Sequence, residues 1–185
     1  MYRGQSTRHM GGFTLVELMI VLVIAAVLLA IAAPGFRTLL ERNRLQSASS
    51  NLFTSLMLAR SEALKRNQPV WVCKGATSCS TGDEGVWEGG WIVHMDPNYP
   101  SNFDPNNIIA TRQALKSGDT LRVYDLSAAG DSNRISFRPD GSASGETRFV
   151  LCNSDADTST AREVRIGVTG RPRILTESID SCTPP

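Results

Sequence analysis

Histidine is nearly missing from this chain: His9 and His94 are the only two in 185 residues. His9 belongs to a short basic head, so one histidine serves the remainder, too few for the usual histidine-dependent active sites. Other catalytic signatures are missing as well. There is no Gly-x-Ser-x-Gly elbow, no phosphate-cradling glycine loop and no His-Glu-x-x-His pair. Charge of one sign is not in excess either. The formal net charge is +1, so whole-chain electrostatics does not announce a nucleic-acid partner. No internal repeat or long low-complexity linker is evident. These absences argue against an enzyme and leave a structural or binding role for one small domain behind an N-terminal segment.

What is present begins with an apolar run. From Phe13 to Ala33 only Thr14 and Glu17 are polar, and about 20 helical residues suffice to cross a bilayer core. Arg3, Arg8 and His9 precede the run and Arg37 is the first basic residue after it. The positive-inside rule leans toward a cytoplasmic head, although Arg37, Arg42 and Arg44 reduce the asymmetry. An ordinary secretory signal would close on a small-x-small cleavage site. Ala30, Ala32 and Ala33 do not make a clean one, because Pro34 follows at once. A plain anchor explains the apolarity but not Glu17, a carboxylate that is costly in hydrocarbon and so implies a specific use.

Gly11-Gly12-Phe13-Thr14-Leu15-Val16-Glu17, with the apolar run behind it, resembles the class III signal of type IV prepilins and type II secretion pseudopilins. The resemblance implies cleavage by a membrane prepilin peptidase after Gly12, N-methylation of Phe13, and assembly into a filament. It also implies that Glu17 meets the free amine of a neighbouring subunit. The same resemblance places the globular part outside the bacterial inner membrane, in the periplasm, on a single-pass anchor.

The helix is expected to continue through Pro34, which removes one hydrogen bond and predicts a kink there. Beyond it Leu45, Ala48, Leu52, Leu56, Ala59 and Ala63 recur at spacings of three and four, one apolar stripe on a helix to about Arg66. Arg42, Arg44, Ser49, Arg60 and Lys65 read as the opposite face. Asn67-Gln68-Pro69 ends the helix. Short β-branched and aromatic runs at 70–73, 91–95, 108–110, 121–124, 134–137, 148–151 and 163–166 read as strands. Pro139-Asp140-Gly141 reads as a turn. Residues 75–90 and 96–107 read as surface excursions. Trp71, Trp87 and Trp91 fit core or sheet packing better than a ligand platform.

Four cysteines in such a domain make sense as two disulfides. Sequence alone allows three connectivities; proximity favours Cys73 with Cys79, leaving Cys152 with Cys182. Zinc is the competing reading, against which stand the lack of Cys-x2-Cys spacing and of histidine. No cofactor or metal is expected.

Three further motifs resemble the GspH/FimT minor pilins and pseudopilins: Leu56 to Arg66 at the helix end, Phe137-Arg138-Pro139-Asp140-Gly141, and Gly170-Arg171-Pro172-Arg173. The expected organisation is therefore a leader at 1–12, an apolar membrane and filament-core helix at 13–36, an amphipathic continuation at 37–66, and a β-rich domain at 67–185. The fold class is α+β, type IV pilin-like, with the long helix packed on antiparallel sheet. In FimT-type minor pilins the Gly-Arg-x-Arg motif is linked to DNA binding in natural transformation. That carries a DNA-contact expectation onto Gly170, Arg171 and Arg173, joined by Arg162 and Arg165 and by Arg134, Arg138 and Arg148 from neighbouring strands. Expected partners are major and minor pilins, the prepilin peptidase, the inner membrane and double-stranded DNA. The alternative is a GspH-type pseudopilin of type II secretion.

Overall fold

The computed structural model describes residues 13–80, 82, 85–95, 103–116, 118–125, 132–176, 179 and 181–182. Gly12 lies outside them. One helix, α1 (Leu15–Arg66), is followed by eight strands: β1 (Val70–Lys74), β2 (Trp91–His94), β3 (Ile108–Arg112), β4 (Thr120–Asp125), β5 (Arg134–Phe137), β6 (Thr147–Cys152), β7 (Arg162–Ile166) and β8 (Pro172–Leu175). The Thr14 hydroxyl accepts the N–H of Glu17 at 3.2 Å and caps the start of α1. Asn67, at φ 53°, takes the left-handed conformation that commonly ends a helix.

The chain divides into two compact units, Met1–Leu40 and Glu41–Pro185. In the first, Leu15–Ala32 is a helical stretch long and apolar enough to cross a membrane, and none of it is buried. Pro34 falls within the range of α1.

In the second unit two four-stranded antiparallel sheets form, in the orders β3-β2-β1-β5 and β4-β6-β7-β8. The stretch of α1 that belongs to this unit buries Leu45, Leu52, Leu56, Ala59 and Ala63 completely, with Ala48 partly covered. They share one core with Val70, Val72, Trp91, Val93, Ile135 and Phe137 of the first sheet. Leu121, Val123, Phe149, Leu151, Val164 and Ile166 of the second sheet complete it. Each such fully buried large aliphatic contributes roughly 1.5–3 kcal/mol relative to exposure.

Two expectations are corrected here. Ser49 is not on the polar face: it is fully buried, its hydroxyl donating back to the Gln46 carbonyl at 2.9 Å, and Ser55 does the same to Asn51 at 2.9 Å. A small hydroxyl that bonds its own helix can enter an apolar stripe without orphaning a donor. The 75–90 segment is not wholly a surface excursion. Trp87 is buried, packs edge-on against Phe149 with ring centroids 5.1 Å apart, and donates its indole N–H to the Ser132 carbonyl at 2.7 Å. A Val86–Arg122 bridge ties the same segment to β4.

Cys73 is bonded to Cys79 and Cys152 to Cys182. Beside the second bond, Ile179 and Cys182 pack with Val150, Cys152 and Ala161 in a small cluster separate from the main core. Among the described residues, one group has the composition of a metal site, Cys73, Cys79 and His94, and both its cysteines are in a disulfide.

Candidate functional site

The three internal motifs meet at one place. Arg138, Pro139, Asp140 and Gly141 form a tight turn closed by the Gly141 N–H on the Arg138 carbonyl at 2.8 Å, with Gly141 at φ +79°. Arg60, from the helix motif, donates Nε–H to the Gly141 carbonyl at 3.0 Å. Gly170 then passes so close that a Cβ there would sit 2.0 Å from that same carbonyl oxygen, and its φ is +70°. Ala143 donates its N–H to the Val168 carbonyl at 3.0 Å, a second tie between the turn and the β7–β8 hairpin. Gly170 is thus required twice over, by its backbone conformation and by the approach of another backbone. Its part is to seat the hairpin, and the arginines that follow are carried by that seat.

The hairpin is the antiparallel pair β7 and β8. β7 stops at Ile166 and β8 starts at Pro172. Between them Gly167 to Gly170 make the turn, the Gly170 N–H reaching the Gly167 carbonyl at 2.8 Å. Pro172 sits on β8, the edge strand of its sheet, where a missing N–H is tolerated. Arg171 therefore lies in the turn exit rather than in the strand, while Arg173 is in it. Both are exposed, and neither side chain makes a hydrogen bond or ion pair among the described residues. With Arg165, Gly167, Thr169 and Glu146 they line a depression of about 310 Å3.

Register extends this into a row. Tyr124 pairs with Arg148, Arg148 with Arg165, and Arg165 with Arg173, across four adjacent strands. Directly opposed residues of neighbouring strands share a face, so three arginines stand side by side. The Arg148 guanidinium lies 5.6 Å from the Tyr124 ring centroid, a cation–π distance. Glu163, which the sequence offers only as an acidic residue between Arg162 and Arg165, is the organiser. It is 5% exposed, and its two carboxylate oxygens take Nε–H bonds from Arg148 at 2.8 Å and Arg165 at 3.0 Å. It neutralises part of the inner row and leaves the outer charge to Arg171 and Arg173.

The other expected arginines are not brought to this place. Arg162 pairs with Leu151, whose side chain belongs to the core, so it stands on the opposite face from Arg165. Its guanidinium bonds Gln46 of α1 at 3.0 Å and the carbonyls of Thr160 and Ala161. The three-residue offset from Arg165 makes this unavoidable in a strand. Arg134 lies on the first sheet, 5.8 Å from the Trp71 ring centroid. Arg138 serves its own turn through the Ala143 carbonyl at 3.1 Å.

An apolar, membrane-length helical stretch, and an amphipathic one packed on two antiparallel sheets, make a type IV pilin-like fold. It aligns with the type IV minor pilin FimU of Pseudomonas aeruginosa at TM-score 0.59 and 21% identity, over 77% of this chain and 98% of that one. It aligns with the minor pseudopilin EpsH of the Vibrio cholerae type II secretion system at TM-score 0.51 and 13% identity, over 76% and 98%. Residues 7–33 match the prokaryotic N-terminal methylation motif. Residues 48–170 match the family described as type II transport protein GspH. The pilin-like protein PilA1 of Thermus thermophilus is 32% identical over 167 residues, 88% of this chain and 97% of that protein. The chain belongs to the GspH family, whose members are structural pilin and pseudopilin subunits rather than enzymes.

Proposed function

We propose that this protein is a minor pilin of a type IV pilus whose hairpin arginines bind DNA during natural transformation. In this reading prepilin peptidase cleaves between Gly12 and Phe13, and Phe13 is methylated. Residues 13–36 hold the protein in the bacterial inner membrane with residues 67–185 on the periplasmic side. It then enters a filament with major and minor pilins. Glu17 is its assembly contact, a carboxylate in an apolar segment that needs a cationic partner, and a neighbour's N-terminal amine supplies one.

The observation that carries DNA binding is the pair of exposed arginines, Arg171 and Arg173, beside Arg165 on the wall of one depression. Guanidinium groups suit phosphate oxygens, and Gly170 holds their strand against the Gly141 turn. No aromatic residue flanks Gly170 to Arg173, so the binding is driven by phosphate rather than by base stacking. The test is a gel shift with mixed-sequence duplex. The wild-type protein retards it, with affinity falling steeply as salt rises and with little sequence preference. Arg171→Gln with Arg173→Gln abolishes the shift; unchanged retardation by that variant removes the site.

The second reading is a GspH-type pseudopilin of type II secretion, favoured by the match to the GspH family and by the likeness to EpsH. Deletion separates the two. Loss of DNA uptake and twitching supports the pilus; loss of exoprotein secretion supports the secretion system.

A further inference from the structure

The first sheet carries a side-chain cluster that the arginine site does not use. Across β1 and β2, Cys73 pairs with Ile92 and Trp71 with His94. Residues two apart in a strand share a face, so Cys73 and His94 are diagonal neighbours on one face. The Val72–Val93 pair is on the other, in the core. The loop after β1 brings Cys79 to them, its Sγ 3.3 Å from the His94 Nε2. Backbone bonds seat that loop, from the Gly75 N–H to the Gly90 carbonyl at 2.8 Å and from the Ser80 N–H to the Lys74 carbonyl at 2.9 Å. Cys73 and His94 are fully buried and Cys79 is half-buried. The two sulfurs and the imidazole nitrogen face one another, all within 4.8 Å.

Two thiolates and an imidazole are donors that zinc takes, at about 2.3 Å to sulfur and about 2.0–2.1 Å to nitrogen. At tetrahedral angles those lengths set the donors roughly 3.6–3.8 Å apart, close to the separation that His94 and Cys79 already have. The sulfurs are bonded to each other and have to part. Cys79 is on a loop rather than a strand, so it is the one that moves. Disulfide and metal site use the same two sulfurs and exclude one another.

We propose that Cys73, Cys79 and His94 bind one zinc ion once their disulfide is reduced, with water in the fourth position. Bond and ion are then alternative staples for the same loop, one for each redox state. Opening the bond takes a dithiol as reductant. One of its thiolates attacks the sulfur of Cys79, the more exposed of the pair; the S–S bond breaks and the Cys73 sulfur leaves and takes a proton. The second thiolate of the reductant attacks its own partner sulfur in the mixed disulfide and releases Cys79, which takes the other proton. The reductant ends as a disulfide, and Cys73 and Cys79 have gained two electrons and two protons between them. Zinc displaces those two protons to solvent.

The mature full chain in detergent micelles is reduced with a phosphine, which has no thiol to compete for metal. It is then alkylated with iodoacetamide, with or without one equivalent of zinc, and the rate at each cysteine is read by peptide mass spectrometry. Cys182 is the matched control: like Cys79 it is half-buried and bonded to a fully buried cysteine. Zinc slows alkylation of Cys79 at least about tenfold, because the sulfur it holds is no longer a free nucleophile, and leaves Cys182 unchanged. Magnesium, which takes oxygen donors, slows neither. His94→Asn weakens zinc binding, read by competition with a chromophoric chelator, at least about tenfold, a loss that removing even a group that only orients a ligand can cause. Equal alkylation of Cys79 with and without zinc overturns the proposal. So does equal protection of Cys79 and Cys182, which marks binding by any free thiol. Zinc affinity unchanged in His94→Asn overturns it as well. The comparison of Cys79 with Cys182 needs no variant, so it decides the case even where His94→Asn does not fold.

Discussion

The Nε of Arg60 donates to the carbonyl oxygen of Gly141 at 3.0 Å, and that oxygen is the atom Gly170 comes to meet. A helix, a turn and a hairpin far apart along the chain are joined through one carbonyl. The pairing explains why a motif of the form Gly-Arg-x-Arg begins with glycine without appeal to any ligand.

Replacement of Gly170 by alanine is expected to destabilise the protein by more than about 2 kcal/mol, combining a left-handed φ with a Cβ driven into backbone, which cannot move aside as a flexible side chain does. Gly167→Ala, in the same turn but with open space where its Cβ would stand, is the matched control and changes stability by less than about 1 kcal/mol. Urea unfolding of the two variants side by side decides it. Equal stability of both contradicts the packing role of Gly170.

Glu163 makes a second prediction, resting on the proposed DNA contact. Its carboxylate holds Arg148 and Arg165 together. Glu163→Gln removes one negative charge from a nearly buried position and releases two guanidinium groups toward the row. Folding stability drops by about 1–3 kcal/mol through loss of charge-assisted bonds. DNA affinity at low salt rises, and the dependence of log affinity on log salt steepens by roughly 0.9 for each additional phosphate neutralised. A variant that is less stable yet binds DNA with the wild-type salt slope shows that the inner arginines do not take part.

Much of this fold is legible locally. The helix end at Arg66 follows from Asn67-Gln68-Pro69, and the core stripe from spacings of three and four. Most strands are β-branched or aromatic runs closed by turn residues. Arg162, Arg165 and Glu163 show where local reading stops. Which arginines share a face depends on cross-strand register, and Arg148, Arg165 and Arg173 become neighbours only when three strands pair. Glu163 looks like a charge that weakens a basic patch until its two oxygens are seen to be the patch's scaffold. Trp87 enters the core from a segment with no periodicity, because the Ser132 carbonyl and the ring of Phe149 await it from distant elements. Such complementarity has no local sequence signal.

Acid titration follows from the turn at Asp140. Its Oδ1 accepts the Ser142 hydroxyl at 2.6 Å and the Ser142 N–H at 2.8 Å, and these bonds hold its carboxyl below the usual aspartate range. Asp157, bonded by Ser159, is held down in the same way. A carboxyl depressed on folding contributes stability at neutral pH, and that contribution disappears as pH falls below the ordinary value near 3.9 and through the folded value. Ser142→Ala is expected to move the Asp140 midpoint up toward that ordinary value while leaving Asp157 where it is, read by carbon-detected NMR of the carboxyl groups. An unmoved Asp140 midpoint contradicts the assigned cause.

The two disulfides are predicted to differ in weight. Cys73 and Cys79 are 6 residues apart, and Cys152 and Cys182 are 30 apart. In the chain-entropy account the longer loop confers about 3.5 kcal/mol and the shorter about 2 kcal/mol, by restricting the unfolded chain. The longer one has a further task, because Ile179 and Cys182 pack beside it with Val150, Cys152 and Ala161. Cys152→Ser with Cys182→Ser is therefore expected to lose more than the entropic figure in urea unfolding and to show faster amide exchange around Val150 and Cys152. Cys73→Ser with Cys79→Ser is expected to lose less, because β1 is held on both sides by β2 and β5. If the short-loop variant proves the weaker of the two, packing around β1 outweighs loop closure, and the C-terminal segment is held by its own contacts rather than by its staple.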